Sequence, residues 1–303
     1  MTVRILQFGT TGQLGRELSA QAKDFDVEIT ALSRAEADFA DPAAVVARLK
    51  AAQADLVVLA AAYTAVDQAE RERDLAFRVN AETPGAIAEA LGAGGPALVQ
   101  ISTDYVFDGE KGGAYVETDT PAPLSVYGAS KLEGERRILA ACPRALVLRA
   151  SWVVSSHGKN FVKTMLRLAG EGKPLKVVAD QFGRPTSARD LARFILSQAE
   201  RLAAARAGEP VFGLHHFANA GEVSWKGFAE GIFDMALGAN APPVGASATA
   251  DWPAPAKRPL RATLDTAKLE HTFGVTPRPW REAVADIVSE LQSEAKTELG
   301  SAA

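Results

Sequence analysis

The sequence lacks the features that mark secreted, membrane-spanning and nucleic-acid-binding proteins. Its one cysteine, Cys142, excludes an internal disulfide, so we expect a reducing, cytoplasmic setting with Cys142 as a packing residue. No apolar run approaches the roughly 20 residues of a membrane span. The N-terminal MTVRILQFG lacks the basic and long apolar segments of a signal peptide. A net charge of −4 argues against broad nucleic-acid binding.

Metal-ligand spacing is lacking as well. The four histidines stand at scattered positions, and we expect no metal site from them: His157, His215, His216 and His271. What is present is an ordinary globular composition, with 47% apolar and 23% charged residues. A length of 303 residues predicts two domains or one large α/β unit, at roughly 150 residues per domain.

The first half alternates short apolar runs with segments of helical periodicity. Five strands are predicted, at residues 3–8, 27–32, 55–62, 97–102 and 145–148. Helices are predicted between them, at residues 14–22, 43–52, 68–92 with a break near Pro84, and 130–141. This order predicts an α/β fold with a doubly wound, Rossmann-like parallel sheet.

The second half is less regular and predicts a smaller domain. Turn residues cluster at 172–174 and 183–185, and two amphipathic helices are predicted at 190–205 and 224–237, the second capped by Ser224. We therefore expect a Rossmann domain over residues 1–152, with elements returning from about 176–205, and a smaller domain mainly over 153–303.

A glycine-rich loop follows the first strand and opens the first helix. Its residues are Gly9, Thr10, Thr11, Gly12, Gln13, Leu14 and Gly15, spaced G-x-x-G-x-x-G. Glycines there allow a tight turn, close approach of a pyrophosphate and helix–strand packing, and the helix N-terminus attracts negative charge. The loop predicts a dinucleotide site; the alternative is a mere tight turn.

The end of the second strand bears on the choice of cofactor. It reads Leu32-Ser33-Arg34, without the acid that NAD sites place there, and Arg34 could meet a 2′-phosphate. This favours NADPH, while Glu36 keeps NADH open and Arg34 could also be a solvated charge. Asp38 and Phe39 could bracket an adenine.

Tyr127 and Lys131 form a Y-x-x-x-K pair. Residues four apart share a helix face, so we expect Lys131 to favour the phenolate of Tyr127 and tune it for proton transfer. The pattern alone is common on helix surfaces. The Ser102-Thr103 hydroxyls at the end of the fourth strand strengthen this interpretation. A hydroxyl there could hydrogen-bond the same substrate carbonyl oxygen as Tyr127.

Together these segments resemble the extended short-chain dehydrogenase/reductases, and more narrowly the dTDP-4-dehydrorhamnose reductase family. The resemblance runs over about residues 3–290. It is carried by residues 9–15 (GTTGQLG), 60–67 (AAAYTAVD), 102–107 (STDYVF), 117–119 (ETD), 127–131 (YGASK), 151–153 (SWV), 160–161 (NF), 180–185 (DQFGRP) and 257–259 (KRP).

The resemblance implies a role for each matching residue. Tyr127 would be the catalytic acid, Lys131 would bind the nicotinamide ribose and Thr103 would tune the pair. Asp104 and Trp152 would join Thr103 in facing the substrate, and the smaller domain would be the substrate-binding domain. Cofactor-binding residues would be Gly9, Thr10, Thr11, Gly12, Gln13, Leu14, Gly15, Ser33, Arg34, Asp38, Phe39, Ala60, Ala61, Ala62, Tyr63, Thr64, Tyr127 and Lys131.

Some positions depart from the family pattern. Tyr63 replaces the usual His and Leu59 the usual Asn, which leaves the chemistry intact but puts the fine cofactor preference in doubt. Glu17 matches a glutamate of a Mg²⁺-bridged dimer in some members, whereas Arg189 stands where another is usual. A metal-bridged dimer is therefore not expected, and the chain is taken as a monomer or homodimer.

The implied activity is NAD(P)H-dependent reduction of the C4 keto group of dTDP-4-dehydro-L-rhamnose to dTDP-L-rhamnose, for cell-surface polysaccharide. Two alternatives stay open: a reductase of another nucleotide sugar, and a non-catalytic NADP-binding regulatory subunit.

Trp225 and Trp280 are interpreted as packing residues. For Asp180, Gln181 and Arg258, nucleotide contact and loop stabilisation remain equal alternatives.

Overall fold

A computed structural model describes residues 2–171 and 175–301 of the chain. Strands and helices alternate through its first half, as the sequence predicts. These elements are β1 (Val3–Phe8), α1 (Gln13–Gln21), β2 (Val27–Leu32), α2 (Pro42–Ala51), β3 (Leu56–Leu59), α3 (Val66–Ala69), α4 (Arg73–Phe77), a π-helical segment (Arg78–Glu82), α5 (Thr83–Leu91), β4 (Ala97–Thr103), α6 (Val126–Ala141) and β5 (Ala145–Ala150).

The second half has strands of two to four residues, and its helices α7, α8, α10 and α12 have ten residues or more. Its elements are β6 (Val153–Val154), α7 (Phe161–Gly170), β7 (Leu175–Val178), β8 (Phe182–Gly183), β9 (Thr186–Ser187), α8 (Ala188–Ser197), α9 (Ala199–Ala204), β10 (Gly213–His216), β11 (Val223–Ser224), α10 (Trp225–Leu237), β12 (Val244–Ser247), α11 (Ala267–Phe273) and α12 (Trp280–Ser301). The turn predicted at residues 172–174 lies outside the described residues.

The central sheet has six parallel strands in the order β2-β1-β3-β4-β5-β10. Successive strand residues point to opposite faces, so the nearly all-apolar strands bury both. Ile5 and Val58 pack on the face covered by α1, α8 and α9, whereas Leu6 and Val57 pack on the face covered by α2, α5 and α6. The doubly wound, Rossmann-like architecture is thereby confirmed.

A separate apolar cluster forms the core of the second half. Phe228 and Ile232 of α10 pack there with Val162 of α7 and Val284 of α12, beside the small parallel pair β7–β12. Ser224 accepts a hydrogen bond from the Gly227 amide, which confirms it as the N-cap of α10. No described helix is long and apolar enough to cross a membrane.

Several element boundaries differ from the predictions. The third strand ends at Leu59, and residues 60–65 form a loop. The helix predicted from residue 130 begins at Val126, capped by Ser125, and the predicted helix 190–205 is divided at Gln198 into α8 and α9. Pro84 lies in the first turn of α5, directly after the π-helical segment. A prolyl nitrogen cannot donate to the preceding turn, which accounts for the irregularity there.

Candidate active site

Two loops meet where the strand order reverses, at the carboxyl ends of β1 and β3. Such a switch point opens a ligand crevice in doubly wound sheets. Gly9 has φ +96°, and a Cβ on it would lie 2.8 Å from the Ala61 nitrogen. A Cβ on Gly15 would lie 2.2 Å from the Gly9 carbonyl oxygen, so both positions require glycine. The buried Gln7 amide fixes the turn by donating to the carbonyls of Gly9 and Gly15.

A cavity of about 390 Å³, here the loop cavity, opens beside this turn. It is lined by most of the residues predicted for the pyrophosphate and adenosine: Gly9, Thr10, Thr11, Gly12, Arg34, Asp38, Phe39, Ala60, Ala61, Ala62 and Tyr63. Ser33 instead turns its hydroxyl to the Glu36 carboxylate, at 2.7 Å. Arg34 is 80% exposed and pairs with Asp38 at 3.2 Å, so its guanidinium stands at the rim.

Asn80 holds the loop after β3 in place. Its side chain accepts from the Tyr63 amide at 2.8 Å and donates to the Tyr63 carbonyl at 3.0 Å. The same amide nitrogen donates to the Ser130 hydroxyl on α6. Asn80 lies in the π-helical segment, a distortion frequent at functional sites. Sequence reasoning missed this residue, because the only signal nearby was the proline four positions later.

A second cavity of about 560 Å³, the central cavity, continues from the loop cavity, with which it shares Thr11, Gly12, Ala60 and Ala62. It brings together the predicted catalytic and substrate residues and the remaining cofactor residues of the loops: Gln13, Leu14, Thr64, Thr103, Asp104, Tyr127, Lys131 and Trp152. Gly15 is the exception, since it packs helix on strand behind the turn.

The start of α6 places Tyr127. Ser125 caps the helix by accepting from the Gly128 amide, and a Cβ on Gly128 would lie 2.1 Å from the Tyr105 carbonyl oxygen. Glycine at this position lets the helix approach the end of β4, so the Tyr127 ring meets Tyr105 edge to face at 5.6 Å. Tyr105 lines the cavity and was not predicted as a site residue.

The electrostatics of the pair differ from the sequence expectation. Burial raises the pKa of Tyr127 to about 12; Asp104 adds to the rise and a hydrogen bond with Thr103 opposes it. Lys131 donates its Nζ to the Ile101 carbonyl at 2.5 Å, and burial lowers its pKa to about 8. The expectation that Lys131 lowers the pKa of Tyr127 is therefore wrong for this arrangement, in which desolvation of the phenol dominates.

Asp104 adds a second unusual group beside the tyrosine. Burial raises the pKa of its carboxyl group to about 7, although a hydrogen bond from the Thr103 hydroxyl, 3.0 Å from Oδ1, opposes the rise. The site thus holds a carboxyl, a phenol and an amine whose neutral forms are all favoured by burial. Such clustering of shifted groups is characteristic of catalytic clefts.

Two stacked indoles form one wall of the central cavity. Trp152 has φ 47° and lies flat on Trp225, with ring centroids 3.6 Å apart. A Cβ on Gly183 would come within 2.7 Å of the Trp152 ring, so the glycine permits this placement. The interpretation of Trp225 as a packing residue needs correction, because Trp225 lines the cavity. Trp280 is buried in the core of the second half, as predicted.

A third cavity of about 800 Å³, the distal cavity, shares Tyr105 and Trp225 with the central one. It carries the cations Lys176, Lys257 and Arg258 and the half-exposed Trp252.

The sequence left the roles of Asp180, Gln181 and Arg258 undecided. Gln181 and Arg258 lie in the wall of the distal cavity. Arg258 also pairs with Asp67 at 2.8 Å. Asp180 accepts from the Thr249 amide and hydroxyl and thereby stabilises the adjoining loop.

The glutamate that matched a metal-bridging position is engaged within the chain. Arg189 lies 3.7 Å from Glu17 and also pairs with Glu290. Burial raises the pKa of Glu17, and Arg189 opposes the rise. Among the described residues, no three His, Cys, Asp or Glu side chains are grouped to hold a metal ion.

Comparisons with known proteins agree with this geometry. The family model described as RmlD substrate binding domain matches residues 3–293. A dTDP-4-dehydrorhamnose reductase of Aggregatibacter actinomycetemcomitans is 43% identical, over 94% of this chain and 98% of the relative. A crystal structure of a Clostridium acetobutylicum dTDP-4-dehydrorhamnose reductase matches with 38% identity and TM-score 0.88, covering 95% of this chain and 99% of the other.

A Bacillus anthracis dTDP-4-dehydrorhamnose reductase, solved in complex with NADP, matches with 34% identity and TM-score 0.88 over 96% of this chain and all of the other. Both the extent of these matches and the architecture of the cleft lead to one assignment. The chain belongs to the dTDP-4-dehydrorhamnose reductase family of oxidoreductases.

Proposed function

We propose that this protein reduces the C4 keto group of dTDP-4-dehydro-L-rhamnose with NADPH, forming dTDP-L-rhamnose. The convergence of Thr103, Tyr127 and Lys131 in the central cavity carries the proposal, because that cavity joins a glycine-loop cavity on one side to a large cationic cavity on the other. The names of the family relatives support the same substrate.

The loop cavity and the adjoining part of the central cavity suit a dinucleotide. Backbone amides of residues 10–13 at the start of α1 would receive the pyrophosphate. Arg34 at the rim would meet a 2′-phosphate, which favours NADPH. Glu36 hydrogen-bonds Ser33 and keeps NADH as the alternative. The bound cofactor supplies the hydride.

Tyr127 serves as the proton donor in this proposal. A pKa near 12 keeps its phenol protonated at neutral pH, ready to donate to the oxygen of the reduced carbonyl. Thr103 is positioned to hydrogen-bond the same oxygen, and Lys131 would hold the nicotinamide ribose. The chain therefore contributes orientation and a proton.

The distal cavity would take the nucleotide of the sugar substrate. Lys176, Lys257 and Arg258 offer positive charge for a diphosphate in a protein of net charge −4. Trp225, together with Trp152, offers an apolar aromatic wall between this cavity and Tyr127, suited to the apolar face of a deoxysugar.

The direct test is oxidation of NADPH and of NADH with enzymatically generated dTDP-4-dehydro-L-rhamnose and with other 4-keto nucleotide sugars. We expect the highest kcat/KM for the dTDP sugar with NADPH. Faster turnover of a different nucleotide sugar would replace the substrate assignment. NADPH binding without oxidation by any keto sugar would instead support a regulatory subunit. Cytoplasmic location and the monomer or homodimer state stay predictions.

A further inference from the structure

A row of polar side chains crosses the central sheet behind the Tyr127–Lys131 pair. Ser102 on β4 faces Arg149 on β5 in the parallel register, and Arg149 faces His216 on β10. All three residues are buried. Buried polar groups are costly unless they are paired, so the partner of this row needs explanation.

The partner of Ser102 and Arg149 is Glu135 on α6. Its carboxylate, 3% exposed, accepts from the Ser102 hydroxyl at 2.5 Å and from Arg149 at 2.9 Å and 2.6 Å. Glu135 follows Lys131 by four residues and Tyr127 by eight, so the three share one face of α6. A hydrogen-bonded buried carboxylate thus lies one helical turn from the lysine of the proposed site.

We propose that Glu135 is a positioning residue, whose buried carboxylate keeps Lys131 protonated and fixes α6 to the end of β4. The inference rests on the proposed function, since it concerns the lysine assigned to the cofactor ribose. It adds a residue that acts through Lys131 and has no contact with the reacting atoms.

The surroundings of Lys131 explain why an anion is needed. Burial lowers the pKa of Lys131 to about 8, and the Glu135 carboxylate opposes that lowering. The other titratable side chains that line the cavity with Lys131 are Asp104, Tyr105, Tyr127 and Lys159. Burial raises the pKa of Asp104 to about 7, and burial also disfavours the tyrosinates. Beyond Arg149, burial lowers the pKa of His216 to about 3, so that ring is neutral.

Fold stability alone does not call for such a pair. Buried ion pairs are often replaceable by apolar side chains of similar volume without loss of stability, whereas removal of one partner is strongly destabilising. The same register also attaches Lys131 to the strand, because its acceptor, the Ile101 carbonyl, directly precedes Ser102. The charge of Glu135 and the hydrogen bond to the Ile101 carbonyl therefore both act on Lys131.

The test compares NADPH dissociation constants from pH 6.5 to 10 without sugar present, using the wild type and a Glu135→Gln/Arg149→Met variant that removes both charges. In the wild type we expect the constant to rise as Lys131 loses its proton above about pH 8. In the double variant, once a cooperative thermal transition shows that it is folded, the rise should begin about one pH unit lower. Glu135→Asp, which keeps the charge but withdraws it by one methylene, should fall between the two.

A control pair stands elsewhere in the chain. Asp190→Asn/Arg278→Met removes a part-buried ion pair between α8 and the loop before α12, and it should leave the midpoint pH of NADPH binding unchanged. The midpoint is the pH at which the NADPH dissociation constant has risen halfway. An unchanged midpoint in the folded double variant overturns the proposal. If the double variant does not fold, an unchanged midpoint in Glu135→Asp overturns it. A wild-type profile without any rise removes Lys131 from the cofactor site and overturns it too. A shifted midpoint without sugar turnover upholds it and counts against the proposed substrate only.

Discussion

Trp152 lies flat on Trp225, with ring centroids 3.6 Å apart and planes 11° from parallel. Trp152 is the one described non-glycine residue with positive φ, at 47°. A bulky side chain in that conformation is strained unless its surroundings hold it. The stack, together with the close approach of Gly183, fixes the indole on the cavity wall.

Loss of the stack should weaken substrate binding more than chemistry. We expect Trp225→Ala to raise KM for the nucleotide sugar by about fivefold or more, since an aromatic pair contributes about 1 kcal/mol beyond its buried area. The change in kcat should be smaller, because Tyr127 and Lys131 lie on another element. Steady-state kinetics measure both values. Trp225→Phe keeps an aromatic face and should lose less; equal losses in the two variants would refute a role for the stack.

Removal of one hydroxyl tests the proton donor. We expect Tyr127→Phe to lower kcat by at least about 100-fold, in the range of general acid–base contributions. NADPH affinity should stay within about twofold, because the glycine loop and Lys131 are unchanged. Turnover and fluorescence titration with NADPH measure the two effects. Near-normal turnover would exclude Tyr127 as the acid, and a parallel loss of NADPH binding would indicate a positional defect instead.

The buried Asp104 predicts a pH-dependent stability difference. The ordinary pKa of 3.8 applies in the unfolded chain, whereas burial raises the folded value to about 7. Between these values the folded state holds a proton that the unfolded chain releases, so wild-type stability falls as pH rises from about 4 to 7. Asp104→Asn should therefore become more stable relative to the wild type over that window, by at most about 4 kcal/mol.

Urea unfolding at pH 5 and pH 8 measures this difference. Asp55→Asn is the control, because Arg4 lowers the pKa of Asp55 to about 2 and its contribution changes only between about pH 2 and 4. Its stability difference from the wild type should therefore be the same at pH 5 and pH 8. If Asp104→Asn differs from the wild type equally at both pH values, the carboxyl does not titrate as proposed.

The fold could be predicted because its determinants are local. Apolar runs such as residues 3–8 and 97–102 each bury both faces of a parallel strand, and α2 and α6 begin at side-chain caps, Asp41 and Ser125. Gly9, Tyr127 and Lys131 were recognisable for the same reason, since a short motif beside a strand end carries their chemistry. β10 and α11 were not predicted as parts of the Rossmann unit, although Phe273 of α11 packs on the core beneath it.

The remaining site residues depend on distant contacts. Asn80 acts through Tyr63 and Ser130, which a sequence pattern does not bring together. The distal cavity joins residues as far apart in sequence as Tyr105 and Arg258. The direction of the Tyr127 pKa shift follows from burial, which spacing on a helix cannot reveal.

Crowding behind the glycine loop predicts a defect in cofactor binding. A Cβ on Gly15 would lie 2.2 Å from the Gly9 carbonyl oxygen, so Gly15→Ala must displace α1 or the turn. We expect a loss of about 1–3 kcal/mol in unfolding free energy, as for overpacked cores, and at least tenfold weaker NADPH binding. Gly94→Ala, with no atom within 4 Å of its Cβ, should change neither value. Unchanged NADPH affinity in Gly15→Ala would contradict the role of this turn.

Arg34 should decide between the two nicotinamide cofactors. Its exposed guanidinium stands at the rim of the loop cavity, where the 2′-phosphate of NADPH would lie. A hydrogen bond to a charged group contributes about 1.5–3 kcal/mol, so Arg34→Ala should raise KM for NADPH by about tenfold or more. KM for NADH, which has no 2′-phosphate, should stay within about twofold, and Arg193→Ala at a remote exposed site should alter neither. An equal rise for both cofactors would assign Arg34 to the shared adenosine, and no rise for either would leave it a solvated charge.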